Sequence, residues 1–438
     1  MNAVIDNASY ALVAGLGRSG FSAARYLRAT GWRVAVTDSR ERPPQLAELR
    51  ALEPPIPVSL GRLDETLLEG AQLLVASPGI ALSEPLFVAA RARGVPIVGD
   101  IELFARAQRR GAAAGITGTN GKSTVTTLVG RMAERAGRHV RVGGNLGQPA
   151  LELLDDPRTD LYVLELSSFQ LETTESLALK AATVLNVTPD HMDRYRSVQE
   201  YAAAKARIFA HCETCVINLD DPYVARMPRP GQRCLGFSLR PGSEADYALL
   251  AREGGSGADT PHGLWLARRG EPLLALDNLK IAGLHNAANA LAALALGEAL
   301  ELPLHAMLEE LAGFSGLPHR TEFIAQLQGV RFVNDSKGTN VGATLAAVQG
   351  LPGTLVLIAG GDGKGQDFTP LAQALRGKVR HVVLIGRDAA ALARVLEGVC
   401  STERCDSLEQ AVRAAARAAQ PGDTVLLSPA CASFDMFH

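Results

Sequence analysis

The sequence predicts an α/β protein of three domains, each built around a mostly parallel sheet. Three observations carry this: a βαβ rhythm through the first hundred residues, a new strand feeding a glycine-rich loop and helix, and a third run of alternating strands and helices. A chain of 438 residues is long enough for about three separate cores.

In the first domain, expected over 1–99, Tyr10 to Gly15 reads as a strand, Phe21 to Thr30 as a helix and Trp32 to Asp38 as a strand. Gln72 to Ser77 and Val95 to Val98 add further strands. A break falls near Gly99. In the second domain, 100–315, the small, apolar stretch Gly111 to Gly115 precedes the helical pattern Val125 to Arg135. Strands follow at Leu161 to Leu166 and Thr183 to Val187, and an alanine-rich helix at Glu200 to Phe209. Arg252 to Gly263, polar and rich in glycine, reads as a surface turn or hairpin. Glycine and proline cluster again at Gly313 to Pro318. Beyond them, in 316–438, strands recur at Arg331 to Asn334, Thr354 to Ala359, His381 to Ile385 and Thr424 to Leu427.

Composition narrows the function. Hydrophobic content of 47% and charged content of 21% describe an ordinary globular protein. A net charge of −2 gives no footprint for nucleic acid, which calls for a clustered basic excess. Met1 to Asp6 lacks the basic and apolar regions of a signal peptide. The most apolar helix, Ala287 to Leu300, is interrupted by Asn289 and Glu298 and is too short to span a bilayer. A cytoplasmic protein with no membrane or nucleic-acid partner is expected. Six scattered cysteines suit a reducing compartment. Cys212 and Cys215 form a CxxC that admits a zinc or redox reading; no second CxxC follows, and small buried thiols are the plainer expectation.

The most specific motif is Gly115-Ile116-Thr117-Gly118-Thr119-Asn120-Gly121-Lys122-Ser123-Thr124. A glycine-rich turn between strand and helix aims backbone N–H groups into one concavity at the positive end of a helix dipole. Lys122 adds a mobile cation for β- and γ-phosphates, and the Ser123 hydroxyl is a natural Mg²⁺ ligand. The strict phosphate-loop pattern wants glycine where Ile116 stands, so this is a variant in which Gly118 makes the turn. A nucleoside triphosphate, ATP or GTP, is the expected ligand.

Gly15-Leu16-Gly17-Arg18-Ser19-Gly20 matches GxGxxG between a strand and a helix, with Asp38 ending the next strand. This is the dinucleotide fingerprint, yet its physics asks only for a diphosphate joined to a nucleoside. A UDP-sugar satisfies it as well as NAD does. Glu165 ends an apolar strand and could hold Mg²⁺ beside a phosphate loop, or simply face solvent. His191 stands between the carboxylates Asp190 and Asp193 after the next strand, and taken alone it could equally be structural. Together the two clusters fit a two-metal phosphoryl-transfer site. Taken alone, Lys205 reads as a solvated lysine. Asp335 to Asn340, Gly360 to Lys364 and Ser428 to Ser433 follow strands of the third domain, where open α/β sheets bind ligands.

In this order the motifs resemble the Mur ligases, three-domain ATP-dependent amino-acid ligases of peptidoglycan synthesis, over nearly the whole chain. The variant loop Gly118 to Ser123 is similar to the family's ATP loop. Leu164 to Glu172, Asn186 to Tyr195, Asp335 to Asn340 and Ser428 to Phe434 are similar to the branch that adds D-glutamate to UDP-N-acetylmuramoyl-L-alanine. The Asp-Asn-Pro-Arg motif of the diaminopimelate- or lysine-adding branch is not found. The resemblance implies Rossmann-like first and third domains around a P-loop ATPase-like centre, and a monomer that acts on ATP, the UDP-sugar and D-glutamate. It implies catalysis through an acyl phosphate. Another Mur ligase, a folylpolyglutamate synthase-type ligase and a non-catalytic nucleotide-binding regulator are the alternatives.

The site carries over by position. Gly118, Thr119, Asn120, Gly121, Lys122, Ser123 and Thr124 would cradle the triphosphate, and Asn289, Arg320 and Asp335 would contact adenine, phosphates and ribose. Ser123 and Glu165 would hold one Mg²⁺, His191 and Lys205 a second, with Lys205 carbamylated as in the family; an ammonium cannot ligate a cation. Lys122, Lys205, His191, Glu165 and Arg320 would form the catalytic set. Leu16, Arg18, Asp38, Ser39, Arg40, Ser77, Asn145 and Gln170 fall where the UDP-sugar lies, and Lys337, Thr339, Lys364 and Ser433 would face D-glutamate. The family pattern continues past Phe437 with an aromatic residue and an Arg-Gly pair, whereas this sequence ends at His438. The last wall of the glutamate pocket is therefore left unassigned.

Overall fold

The computed structural model describes residues 9–252, 263–281, 283–433 and 435–436, which form three sheets in succession along the chain. The first contains β1 (Tyr10–Ala14), β2 (Arg33–Asp38), β3 (Val58–Leu60), β4 (Leu73–Ala76) and β5 (Ile97–Val98), all parallel, in the order β3-β2-β1-β4-β5. Side-chain alternation divides β1 between two cores. Ala11 and Val13 pack with Ala23, Ala24 and Leu27 of the helix Arg18–Ala29, while Leu12 and Ala14 pack with Leu86, Phe87 and Ala90 of the helix Pro85–Ala92. Burial on both faces is why β1 reads as a continuous apolar run. The winding reverses between β1 and β4, and a crevice opens at their carboxyl ends.

The second sheet comprises β6 (Ala112–Thr117), β7 (Val140–Gly144), β8 (Leu161–Glu165), β9 (Leu179–Val184), β10 (Cys212–Asn218), β11 (Arg233–Ser238), β12 (Tyr247–Arg252), β13 (Gly263–Arg268) and β14 (Glu271–Ala275). Its order is β14-β13-β12-β11-β10-β9-β6-β8-β7, parallel from β12 to β7 and antiparallel through β13 and β14. The expected hairpin is present in its flanks, with Arg252 opposite Gly263; its tip, 253–262, lies outside the described residues. The helices Lys122–Arg135 and Leu284–Ala299 bury Val125, Leu128 and Met132 together with Leu291, Leu294 and Leu296 on this sheet. Leu284–Ala299 is buried nearly all round, as its alanine and leucine content permits. Among the described residues no helix is long and apolar enough to cross a membrane.

The third sheet contains β15 (Glu322–Leu327), β16 (Val330–Asn334), β17 (Leu355–Gly360), β18 (Val379–Ile385), β19 (Ser401–Arg404) and β20 (Thr424–Leu427), in the order β15-β16-β20-β17-β18-β19. Only β15 is antiparallel. The α/β architecture is therefore the expected one, with details shifted. The strand expected at Thr183 to Val187 is β9, which ends at Val184; beyond it the Val187 amide donates to the Asp221 carboxylate (2.7 Å) instead of a neighbouring strand. The helix expected from Val125 starts at Lys122, because Gly121 turns the chain with φ +85°. The helix expected at Glu200 to Phe209 runs Val198–Ala206, capped by Ser197, and tightens to a 3₁₀ turn at Arg207–Phe209.

Candidate functional site

The phosphate loop joins β6 to the helix Lys122–Arg135 and is pinned by the segment that follows β9. The Thr119 amide donates to the Asn186 carbonyl (2.9 Å), the Asn120 amide to Asn186 Oδ1 (2.8 Å), and the Thr188 amide to Thr119 Oγ1 (3.0 Å). A Cβ at Gly121 would stand 2.3 Å from Asn289 Oδ1, so glycine is required by space as well as by φ. Lys122 Nζ donates to the carbonyls of Gly118 (2.9 Å) and Thr119 (2.8 Å). Burial holds Lys122 below the ordinary lysine value despite the carboxylate of Glu165 nearby.

Glu165, at the end of β8, is buried. Asn145 Nδ2 donates to its Oε1 (2.7 Å), while Oε2 has no hydrogen-bond partner. A buried carboxylate oxygen left bare beside a phosphate loop is costly, and a hard cation is the group that would satisfy it. The Ser123 hydroxyl accepts from Arg320 Nη2 (2.9 Å), which brings the third domain onto the loop. Among the described residues, no three His, Cys, Asp or Glu side chains are grouped to hold a metal. Any Mg²⁺ here would complete its shell with nucleotide oxygens and water, as Mg²⁺ commonly does.

His191 adopts φ +57°, a left-handed conformation that is strained for a residue with a Cβ. Its ring meets the edge of Phe169 with centroids 4.9 Å apart and stands 6.3 Å from Tyr201. Burial lowers its pKa, outweighing Asp190, so the imidazole is neutral near pH 7 and able to act as a ligand. The solvated reading of Lys205 is overturned: only 1% exposed, it donates from Nζ to the Gly118 carbonyl (2.9 Å) and lies 4.4 Å over Tyr201. Burial, with Lys122 adding to it, pushes Lys205 well below the lysine range, which favours the uncharged amine.

The seam between the second and third domains is polar. Lys364 Nζ meets Asp190 Oδ1 at 2.6 Å, with the two side chains 14% and 8% exposed. Asn340 Nδ2 donates to Asn120 Oδ1 (3.0 Å) and to Asp190 Oδ2 (3.3 Å). Burial raises the Asp190 carboxyl, but His191 and Lys364 outweigh it and leave the group below its ordinary value. Asn120, Gly121, Thr124, Asn289, Arg320, Asp335 and Lys337 line one cleft along this seam. Asp335 is held there by Ser428 Oγ (2.7 Å) and the Thr321 amide (3.1 Å), and burial raises its pKa. The four residues expected to face D-glutamate lie on loops of the third domain, after β16, β17 and β20. Lys337 lines the seam cleft, Lys364 is engaged with Asp190, Thr339 directly precedes Asn340, and Ser433 is exposed beside Ala432, which bridges to Asp362.

The first-domain crevice is a cavity of ≈ 580 Å³ lined by Arg18, Asp38, Ser39, Arg40, Ser77, Asn145 and Gln170, together with Pro78 to Ile80. Its size suits a small-molecule ligand. Gly20 packs against the Gly15 carbonyl, while at Gly17 nothing lies within 4 Å of a built Cβ, leaving room for a ligand's phosphates. Leu16 is fully buried, and its amide donates to Asp38 Oδ2 (2.6 Å), so its side chain does not line the crevice. Asp38 is further engaged by Arg40, whose Nε and Nη2 lie 2.9 and 2.7 Å from its two oxygens. An acidic residue so occupied is poorly placed to receive a ribose diol. Gln170 donates to the buried Asp100 (3.1 Å), and Asn145 joins this crevice to Glu165.

Sequence reasoning missed Asn286, whose Oδ1 accepts from Asn289 Nδ2 (3.2 Å) in the seam cleft, and the neighbouring His285. Two asparagines at i and i+3 in an otherwise Ala/Leu helix were the available signal. The cysteines among the described residues are free thiols; Cys215 stands in register with Cys234 on β11, and hydrogen bonding to Cys212, then burial, raises its pKa.

Comparison with known proteins follows the same three-part division. Residues 9–99 match the MurD-like N-terminal domain of Mur ligases, 116–297 the Mur ligase middle domain, and 319–431 the Mur ligase glutamate ligase domain. The UDP-N-acetylmuramoylalanine–D-glutamate ligase of Nitrosococcus oceani is 54% identical over 432 residues, 98% of this chain and 93% of that protein. The enzyme of the same name from Pseudomonas aeruginosa is 49% identical over 438 residues, 99% and 96% of the two chains. Among solved structures, the UDP-N-acetylmuramate-alanine ligase MurC of Thermotoga maritima shares the fold, with a TM-score of 0.61, 20% identity and coverage of 96% and 95%. On these matches, the chain belongs to the Mur ligase family.

Proposed function

We infer that this chain is the ATP-dependent ligase that joins D-glutamate to UDP-N-acetylmuramoyl-L-alanine in cytoplasmic peptidoglycan precursor synthesis. The observation that carries this is near-full-length identity of 54% to a protein of that activity. The geometry supports it: a UDP-sized crevice and a phosphate loop are linked through Asn145 and Glu165.

In this reading the acceptor carboxylate attacks the γ-phosphorus of ATP, the bond to the β–γ bridging oxygen breaks, and ADP and an acyl phosphate result. The amine of D-glutamate then attacks the acyl carbon, loses a proton, and inorganic phosphate leaves an amide. Lys122 and Arg320 would neutralise the transferring phosphoryl, and the loop amides would fix it in line. Ser123 and Glu165 would hold one Mg²⁺ and His191 and a carbamylated Lys205 a second; the metals would supply neutralising charge for the phosphates. The lowered pKa of Lys205 supports this, since the uncharged amine can add CO₂ with loss of one proton to give a carbamate, a hard anionic ligand. Closure of the third domain, through Lys364, Asn340 and Arg320, would exclude the water that hydrolyses acyl phosphates. In this reading the enzyme acts as a monomer.

The test is ADP release with each substrate omitted or replaced in turn. Turnover should require UDP-N-acetylmuramoyl-L-alanine and D-glutamate together. Turnover with a folate acceptor, or with diaminopimelate, lysine or L-alanine in place of D-glutamate, would reassign the substrate.

A further inference from the structure

Arg194 has no part in the mechanism above, yet its guanidinium joins the first domain to the reaction centre. It stands three residues after His191 on the segment between β9 and the helix Val198–Ala206. Its side chain is 16% exposed. Nη2 donates to the Ile80 carbonyl (2.9 Å), and Nη1 reaches the Pro78 carbonyl (3.4 Å). Nη2 also lies 3.5 Å from Glu172 Oε2, and the guanidinium carbon is 4.5 Å from the centre of the Phe169 ring.

Each contact leads to a different part of the site. Pro78 and Ile80 belong to the loop after β4, which lines the UDP-sized crevice beside the glycine loop, with Ser77 Oγ donating to the Gly15 carbonyl (3.0 Å). Glu172 ends the short helix that carries Gln170, another lining residue. Phe169 presses on the His191 ring and stacks on Tyr195 (5.8 Å, 12° between planes), and the Tyr195 hydroxyl donates to Glu172 (2.6 Å).

The Arg194–Glu172 approach of 3.5 Å is at the limit of hydrogen-bond distance. What sets Arg194 apart is the combination of two main-chain carbonyls of another domain with an aromatic face. The planar guanidinium lies over the ring while two of its nitrogens reach the two carbonyls, a spread of donors that the single nitrogen of a lysine covers only in part. Movement of the Pro78–Ile80 wall would therefore pull on Phe169 and, through it, on His191.

We propose that Arg194 is a positioning residue that holds the crevice wall and the His191 imidazole as one unit, coupling occupancy of the UDP-substrate crevice to the geometry of the reaction centre. The proposal rests on the ligase reading.

The experiment compares wild type with Arg194→Ala, Arg194→Lys and Glu172→Gln, measuring kcat, the KM of each of the three substrates, calorimetric affinity for UDP-N-acetylmuramoyl-L-alanine, and the thermal midpoint. Arg194→Ala should raise KM and Kd for the UDP-substrate about tenfold, the scale of lost charge-assisted hydrogen bonds, and should lower kcat as well. KM for ATP should stay within about twofold. Arg194→Lys should recover only part of the loss, and Glu172→Gln, which keeps both carbonyl contacts, should be milder than either. Equal rises in KM for ATP and the UDP-substrate, full recovery by lysine, or unchanged constants would overturn the proposal. If the alanine variant does not fold, the lysine and glutamine variants decide by the same split. Lack of wild-type turnover sinks the ligase reading; turnover that is insensitive to these substitutions sinks this one.

Discussion

Replacing Lys364 with methionine keeps most of the side-chain stem and deletes its charge, which isolates the Lys364–Asp190 pair. The two atoms are 2.6 Å apart, and both side chains are largely buried. At an effective dielectric of 20 their attraction is about 6 kcal/mol, against which desolvation of both groups must be set. Removing one member of such a pair costs about 3–5 kcal/mol, mainly because the other charge stays buried. Asp190 would not be stranded: Asn340 Nδ2 (3.3 Å) and the His191 amide (2.9 Å) still reach it. We therefore expect about 2–3 kcal/mol, or a roughly 30- to 150-fold fall in kcat/KM for D-glutamate. Because the partners belong to different domains, the loss should reach the closed arrangement more than the fold of either domain. Steady-state ADP release with D-glutamate varied, in a double-mutant cycle with Asp190→Asn, gives the coupling. A Lys364→Met enzyme within threefold of wild type, or strict additivity with Asp190→Asn, would show that the pair does not hold the seam together.

Lys122→Ala should abolish ligation while leaving calorimetric affinity for the UDP-substrate nearly intact, because the ligands occupy different clefts; wild-type turnover would remove the loop from the catalytic role. Calorimetry on the native protein should detect UDP-N-acetylmuramoyl-L-alanine and not NAD or NADP, and the reverse result would assign the GxGxxG loop to a dinucleotide instead. Lys205→Arg, which cannot form a carbamate, should lose most activity, and ¹³C-bicarbonate should give the native protein a carbamate carbonyl signal that the variant lacks; full activity in the variant would return Lys205 to a structural role. His191 is held below its ordinary 6.5 by burial, so protonation favours the unfolded chain and also removes the neutral ligand. Stability and activity should both fall as pH drops below about 6.5, with activity lost as pH passes through the lowered folded value, and an acid limb unchanged in His191→Gln would refute the assignment.

What could be read from sequence was local. The glycine loop, β1, β2, β4 and β20 announce themselves because buried parallel strands are apolar runs bounded by turn residues. The antiparallel strands β13, β14 and β15 do not, being only partly covered; β15 leaves Phe323, Ile324 and Leu327 more than half exposed. The site divided in the same way. Lys122 and Ser123 were legible from spacing, whereas the Asn120–Asn340 contact spans 220 positions and Lys364–Asp190 spans 174. Burial was equally invisible: nothing in the pattern around Lys205 distinguishes it from a solvated lysine. Its environment comes from the Gly118 carbonyl and the ring of Tyr201.

The electrostatics of the seam give these contacts a common logic. Lys122, Lys205 and Arg320 are each pulled below their ordinary values, with burial the largest cause in all three, and Lys364 joins them at Asp190. The carboxylates among them are Glu165, with one oxygen bare, and Asp190, already paired; Asp335 is pushed toward protonation by burial. Such a site is costly for the protein alone, since its basic side chains outnumber the carboxylates that could compensate them. A triphosphate reverses the sign of that cost. It raises the affinity of Lys122 and Arg320 for their protons and meets donors already oriented by the loop and by Ser123. Glu165 and a carbamate at Lys205 would then balance divalent cations drawn in by the same phosphates. Strain at His191 and buried, under-compensated charge are thus concentrated where anionic substrates and metals would offset them, and the alanine-rich cores around the seam carry the stability that this arrangement forgoes.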